Sequence, residues 1–268
     1  MAQIHFLPRT GRRVADSPYA GDMAEDMATS FGAQAGDYEV GRPEYPFEAV
    51  AWMLDRMPGD SRRIADVGAG TGKLTRVLAQ APDAEVVAVD PDPEMLATLR
   101  GAVPGVPTFV GTAEQLPLPD ASLDAVVLGQ AWHWVDPAAG SAEIGRAVRS
   151  GGVLGLIWNI RDDRVDWVRR LTEIMHGSHA ENMLAAGDPV VAAPFGPLEQ
   201  ERWEWVRPIT RDLLHRMAAS RSYIITASDE DKARIRHDLD ELFDELDLHG
   251  DTTIDLPYVT RAYRSVRD

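Results

Sequence analysis

Ile64-Ala65-Asp66-Val67-Gly68-Ala69-Gly70-Thr71-Gly72 is the stretch on which the fold turns. A short apolar run, Ile64 to Val67, passes into glycines at 68, 70 and 72 and then into an amphipathic segment from Lys73 to Ala79. That order predicts a strand, a tight glycine turn and a helix. A residue without Cβ lets the chain turn in little space and lets a ligand lie against the main chain. Spacing excludes two phosphate-binding loops. The dinucleotide fingerprint needs its third glycine at 73, where the chain has Lys73; the phosphate loop needs a glycine at 67 and a hydroxyl residue at 74, where it has Val67 and Leu74. A cofactor without phosphates is preferred.

A second acidic residue, Asp90, closes the next apolar run, Val86-Val87-Ala88-Val89. A carboxylate there is well shaped to accept hydrogen bonds from two vicinal ribose hydroxyls. Together the two acidic residues and the glycines describe a pocket for an adenosine-containing cofactor. The competing use of Asp90 is to cap the helix that follows Pro91.

Outward from this centre, strands are expected near 62–67, 85–89, 106–110, 122–128 and 152–158. Helical stretches near 72–80, 92–101 and 137–149 separate them, and Pro46 to Met57 predicts a helix packed beside the sheet. Such alternation argues for a parallel, doubly wound α/β sheet. After Asn159 the pattern changes. Arg161 to His179 predicts a charged amphipathic helix, 185–197 is rich in Pro and Gly, and Gln200 to Val206 alternates as a strand does. Helices over 209–220 and 229–248 and a closing segment from Tyr258 to Tyr263 complete the chain. Residues 1–30 lack apolar periodicity and predict a mobile N-terminal lead-in, with 31–268 forming a single domain.

Composition narrows the classes of function. The chain has 268 residues and a net charge of −16, with 27 basic against 43 acidic residues, and so lacks the basic stripe that a phosphate backbone requires. Nucleic acid and anionic membrane are poor partners on this ground. Without cysteine, neither a disulfide framework nor a thiolate metal site is possible. Nowhere do ~18 apolar residues run together, and the N-terminus has no export-type apolar core. A cytoplasmic protein is expected, with no metal; the oligomeric state, monomer or homodimer, stays open.

Four segments occur in a fixed order: Asp66-x-Gly-x-Gly-x-Gly, Asp90 at the end of the second strand, Gly111-Thr112-Ala113-Glu114-x-Leu116-Pro117, and Ser122-Leu123-Asp124-Ala125-Val126-Val127. The chain resembles the Rossmann-like S-adenosylmethionine-dependent methyltransferases, within them the small-molecule branch called type 11. The likeness is good over roughly 30–160 and covers the rest in outline. It implies a mostly parallel seven-stranded sheet with an antiparallel edge pair and helical cap insertions over 161–195 and 208–250. It further implies that S-adenosylmethionine is the cofactor. Its methionine part falls to Asp66, Gly68, Ala69, Gly70 and Gly72, its ribose to Asp90 and Pro91, and its adenine to Met95, Ala113 and Glu114. For Glu114 helix-start capping, and for Met95 core packing, are the plainer uses. Gln130 leaves the fourth strand beside the cofactor, and Tyr38-x-x-x-Arg42-Pro43-x-Tyr45-Pro46 folds over its methionine end in relatives of this branch.

The segment Gln130-Ala131-Trp132-His133-Trp134-Val135-Asp136 places two tryptophans around a histidine just past a strand end. In this branch that loop lines the cavity between cofactor and acceptor, so His133 and Trp134 are candidate catalytic residues beside Arg42. Methyl transfer from a sulfonium is an in-line displacement, and a base is needed only when the nucleophile carries a proton. A phenol, alcohol or protonated amine would call on His133. A carboxylate needs no base and would instead be anchored by Arg42, Arg161 or Arg221. A non-catalytic binding scaffold and a nicotinamide-dependent oxidoreductase remain the alternatives, the latter disfavoured by the displaced third glycine.

Overall fold

The helices and strands that frame the site follow one another in the order α1 (Phe47–Leu54), β1 (Arg62–Val67), α2 (Lys73–Leu78), β2 (Ala84–Asp90), α3 (Pro93–Ala102), β3 (Thr108–Val110), β4 (Leu123–Gly129), α4 (Pro137–Ala147), β5 (Val148–Arg161), α5 (Asp166–Ile174), α6 (His179–Ala186), β6 (Glu199–Thr210), α7 (Arg211–Ala219), α8 (Asp229–Glu245) and β7 (Thr253–Val266). They come from a computed structural model that describes residues 41–59, 62–221, 224 and 227–268. Expectations about residues 1–30 and about Tyr38 fall outside the described residues.

The strands form one sheet in the order β3-β2-β1-β4-β5-β7-β6. Strands β1 to β5 are mutually parallel, and β7 runs antiparallel between β5 and β6. The chain winds outward from β1 through β2 to β3, then returns to lay β4 on the other side of β1. Connections therefore diverge between β1 and β4, and beyond the carboxyl ends of these strands a crevice opens, the usual place for a ligand in such sheets.

Alternation along the strands builds a core on each face. On one face Ala65, Val67, Val126, Leu128, Leu154 and Trp158 pack with Ile144 and Ala147 of α4. On the other, Ile64, Ala125, Val127, Val153 and Ile157 meet α1 through Val50 and Met53 and α2 through Leu74 and Leu78. A third core has no counterpart in the sheet proper. There Val168 and Leu171 of α5, Leu214 and Met217 of α7, Leu239 and Phe243 of α8, and Tyr258 of β7 pack together.

The helix expected over Arg161 to His179 is instead three things. β5 continues to Arg161, held in the sheet by its pairing with Tyr258 of β7. A shorter helix, α5, follows, and the chain breaks at His176, whose φ is +51°, ahead of Gly177. It restarts as α6 because Ser178 and Glu181 form a reciprocal capping box, each side chain bonding the other's backbone N–H. Charge periodicity ran across this break and hid it. Among the described residues no helix is long and apolar enough to cross a membrane.

Candidate active site

Asp66 stands one residue before the end of β1 and is fully buried. Its Oδ2 accepts a 2.6 Å hydrogen bond from the Thr75 hydroxyl, while Oδ1 has no protein partner. Burial, and secondarily the neighbouring Asp90, push its carboxyl up to about 7. The glycine loop then folds back over β2. The Gly68 and Ala69 N–H groups donate to the Val89 carbonyl at 2.8 and 3.1 Å, and the Gly70 N–H donates to Asp90 Oδ2 at 2.8 Å. Gly68, Gly70 and Gly72 have φ of +68°, +54° and +92°, a region costly for residues with a Cβ. Their jobs differ. A Cβ on Gly68 would stand 2.6 Å from that of Ala131, and one on Gly72 would meet Leu99, whereas Gly70 opens onto free space.

The helix-capping use of Asp90 does not arise. Asp92 caps α3, accepting from the Glu94 and Met95 N–H groups, and Asp90 Oδ1 accepts from the Asp92 N–H at 2.9 Å. Asp90 therefore faces the glycine loop, and burial raises its pKa. Pro91 is half-buried beside it; Met95 and Ala113 are buried, Ala113 within the main core. Glu114 starts no helix. Its Oε1 accepts from the Asp136 N–H at 3.0 Å and so ties the third-strand loop to the loop after β4.

That second loop begins at Gln130, whose φ is +57° and whose side-chain amide donates to the Asn159 carbonyl at 2.8 Å. Trp132 is buried, with its indole N–H on the Val190 carbonyl. Trp134 is 38% exposed and stacks on His179 of α6, with His133 alongside, its ring 4.9 Å from that of Trp134. His133 Nδ1 is buried without a hydrogen-bond partner, and burial, helped by His179 and Arg42, lowers its pKa to about 3. It is a neutral ring at working pH.

A cleft partly open to solvent lies beyond the ends of β1, β4 and β5. Of the residues singled out in the sequence it gathers Arg42, Asp66, Gly68, Ala69, Gly70, Gln130, Arg161 and Arg221. Gly72, Asp90, Pro91, Met95, Ala113, Glu114, His133 and Trp134 are not among its lining residues. Sequence reasoning missed Glu181, Met217, Asn159 and Tyr258, all of which line it. For Glu181 a signal existed, the Ser178-x-x-Glu181 capping pattern.

Glu181 joins the two buried arginines. Its carboxylate meets Arg161 Nη2 at 3.0 Å and Arg221 Nη1 at 3.4 Å, and also accepts from the Ser178 N–H. Burial alone would raise its pKa, but the two guanidiniums hold it down at about 2. Arg221 is itself lowered to about 9, first by burial and then by Arg161, and its Nε has no partner. Two guanidiniums sharing one carboxylate leave positive charge at the cleft wall, so the arrangement can receive an anion. Across the cleft, the partnerless Asp66 Oδ1 is a buried acceptor suited to an ammonium.

Comparison with known proteins gives the class these features define. Residues 65–156 match the family model described as a methyltransferase domain. Uncharacterized methyltransferases of Mycobacterium tuberculosis and Mycobacterium bovis are 44% identical over 249 residues, covering 90% of this chain and 96% of theirs. A methyltransferase-like protein of Schizosaccharomyces pombe is 34% identical over 254 residues, covering 92% and 99%. The solved structure of a provisional type II methyltransferase from Anaeromyxobacter dehalogenans superposes with a TM-score of 0.58 at 25% identity, covering 84% of this chain and 97% of that one. The chain belongs to the type 11 group of Rossmann-like S-adenosylmethionine-dependent methyltransferases, and S-adenosylmethionine is its cofactor.

Proposed function

We propose that this enzyme methylates a carboxylate oxygen of a small molecule, giving a methyl ester. The observation that carries the reading is the Arg161–Glu181–Arg221 cluster on the cleft wall, an anion receptor facing the glycine loop.

In this reading Asp66 Oδ1 holds the ammonium of the cofactor's amino acid part, Gly68, Ala69 and Gly70 let that part lie against the main chain, and Asp90 holds the ribose. Pro91, Met95, Ala113 and Glu114 border the adenine, Gln130 and Arg42 flank the methionine end, and Gly72 serves the turn. When bound, S-adenosylmethionine supplies a methyl group on a sulfonium. The acceptor oxygen forms a C–O bond as the C–S bond breaks, the electron pair of that bond staying on sulfur, and no proton is released. Two opposite charges vanish along this path, so a dry cleft favours it and the residues need only align and desolvate. His133, neutral and absent from the cleft lining, is then a packing partner of α6 and has no part as a base.

The test is to incubate the enzyme with S-adenosylmethionine and a panel of small carboxylic acids, following S-adenosylhomocysteine release and seeking a base-labile methyl ester. His133→Asn is expected to keep turnover within about twofold of wild type. Turnover confined to phenols, alcohols or amines, and lost in that variant, would overturn the proposal and restore His133 as the base.

A further inference from the structure

Tyr258 sits where three strands bring their side chains to one face. In the register of the sheet it is directly opposite Arg161 of β5 on one side and Trp205 of β6 on the other. Directly opposed residues of antiparallel strands point the same way, so Arg161, Tyr258 and Trp205 form a row across β5, β7 and β6. The row is stiff. The Trp205 ring stacks on that of Tyr258 at 4.9 Å and 15°, and its indole N–H is fixed to the Thr260 hydroxyl at 2.8 Å, which donates in turn to Asn159 Oδ1.

In the middle of this stiff row the phenol hydroxyl is poorly used. Tyr258 is buried and lines the cleft, yet its hydroxyl donates only to the Met217 sulfur, at 3.5 Å. A thioether is among the weakest acceptors in a protein. Arg161 and Arg221 act on the same ring electrostatically, and Arg221 keeps its Nε without a partner. An unspent acceptor is what these groups lack.

We infer that Tyr258 orients the acceptor: its hydroxyl leaves the Met217 sulfur and donates to one oxygen of a carboxylate held by Arg221, so that the other oxygen faces the reacting methyl. The inference rests on the carboxylate reading above. Burial holds the phenol above its usual pKa, which keeps it a donor across the working range. Met217 is the resting partner, displaced without breaking a strong bond. Fixing one oxygen leaves a single lone pair directed along the line of displacement, which is the alignment such a reaction needs.

The experiment titrates acetate, benzoate and malonate by calorimetry into the full-length protein saturated with S-adenosylhomocysteine. Tyr258→Phe keeps the ring and its stacking, and is expected to weaken the carboxylate probes at least fivefold with S-adenosylhomocysteine affinity and melting temperature unchanged. Met217→Leu, close in volume, is expected to bind the probes as tightly as wild type or tighter. Arg221→Lys, which keeps the charge and loses the fork, is expected to weaken them at least tenfold. If Arg221→Lys weakens the probes while Tyr258→Phe does not, the carboxylate reading stands and the role given to Tyr258 falls. If Tyr258→Phe and Met217→Leu lower the melting temperature together and leave probe affinity alone, the bond between them is structural and the inference is overturned. Wild type that binds none of the probes refutes the carboxylate reading and this inference with it.

Discussion

The Gly70 N–H donates to Asp90 Oδ2 at 2.8 Å, so the glycine loop after β1 is hydrogen-bonded to the acidic end of β2. The two segments that mark the cofactor pocket in the sequence, 20 residues apart, are thus one mechanical unit. In the proposed reading Asp90→Ala removes the ribose acceptor, and it also frees the loop. The loss is on the order of 1.5–3 kcal/mol for each charge-assisted bond. S-adenosylhomocysteine binding measured by calorimetry should weaken more than tenfold; unchanged affinity would remove Asp90 from the site.

Asp66 predicts a pH dependence with a definite sign. Its folded value of about 7 lies above the ordinary 3.8, so the folded apo-protein favours the protonated carboxyl. That group's contribution to stability is full below pH ~4 and is lost as pH rises through about 7. If Asp66 holds the ammonium of the methionine part as proposed, cofactor binding runs the other way, because that contact requires the carboxylate. Affinity for S-adenosylhomocysteine should fall by up to about tenfold per unit below pH 7, with a proton released on binding. Calorimetry from pH 5.5 to 8.5 in buffers of different ionisation enthalpy reads both effects. Asp66→Asn should flatten the profile, and a pH-independent wild type would show that Asp66 does not titrate with binding.

Glu181 is the counter-charge of two buried arginines. Truncating it to Ala strands Arg161 and Arg221 together and removes half of the capping box of α6. Breaking a buried pair on one side costs about 3–5 kcal/mol, and the loss should appear as an earlier midpoint in urea. Glu181→Gln keeps the shape and should recover part of it. A midpoint unmoved by Glu181→Ala would mean that solvent neutralises these arginines.

Gly68→Ala tests the close approach of two loops. The new Cβ would lie 2.6 Å from that of Ala131, at a backbone φ of +68°. Overpacking of this kind costs about 1–3 kcal/mol, and cofactor affinity should fall with stability because both loops border the cleft. Adding Ala131→Gly should restore part of the stability, since it removes the contact while leaving the backbone strain. Full stability in the single variant would show that the loop after β4 yields easily.

The sheet was legible because each buried strand is a nearly continuous apolar run closed by a turn residue or a carboxylate, as with Ile64 to Asp66 and Val86 to Asp90. The residues proposed for the cofactor were read from the same strand ends. Of those proposed for the acceptor, Glu181 and Tyr258 were not read from the sequence at all. Arg161 looked like the start of a helix because the charged periodicity of 161–179 continued through a break made by two local features, the positive φ of His176 and the cap at Ser178. Glu181 and Tyr258 are 77 residues apart in the sequence and reach the cleft from different elements, so no local pattern joins them. Tyr258 reaches the cleft wall through strand register, which one chain read alone does not display.

Strand β7 lies between β5 and β6 although it follows both in the chain. During translation β6 therefore leaves the ribosome with no neighbour to pair with, and the gap beside β5 stays open until residues 253–266 have emerged. The glycine loop, by contrast, needs only β1, β2 and β4, which are made early. A nascent chain halted before residue 253 could fold its cofactor half while its unpaired β5 edge and the apolar faces of α5, α7 and α8 remained open to chaperones.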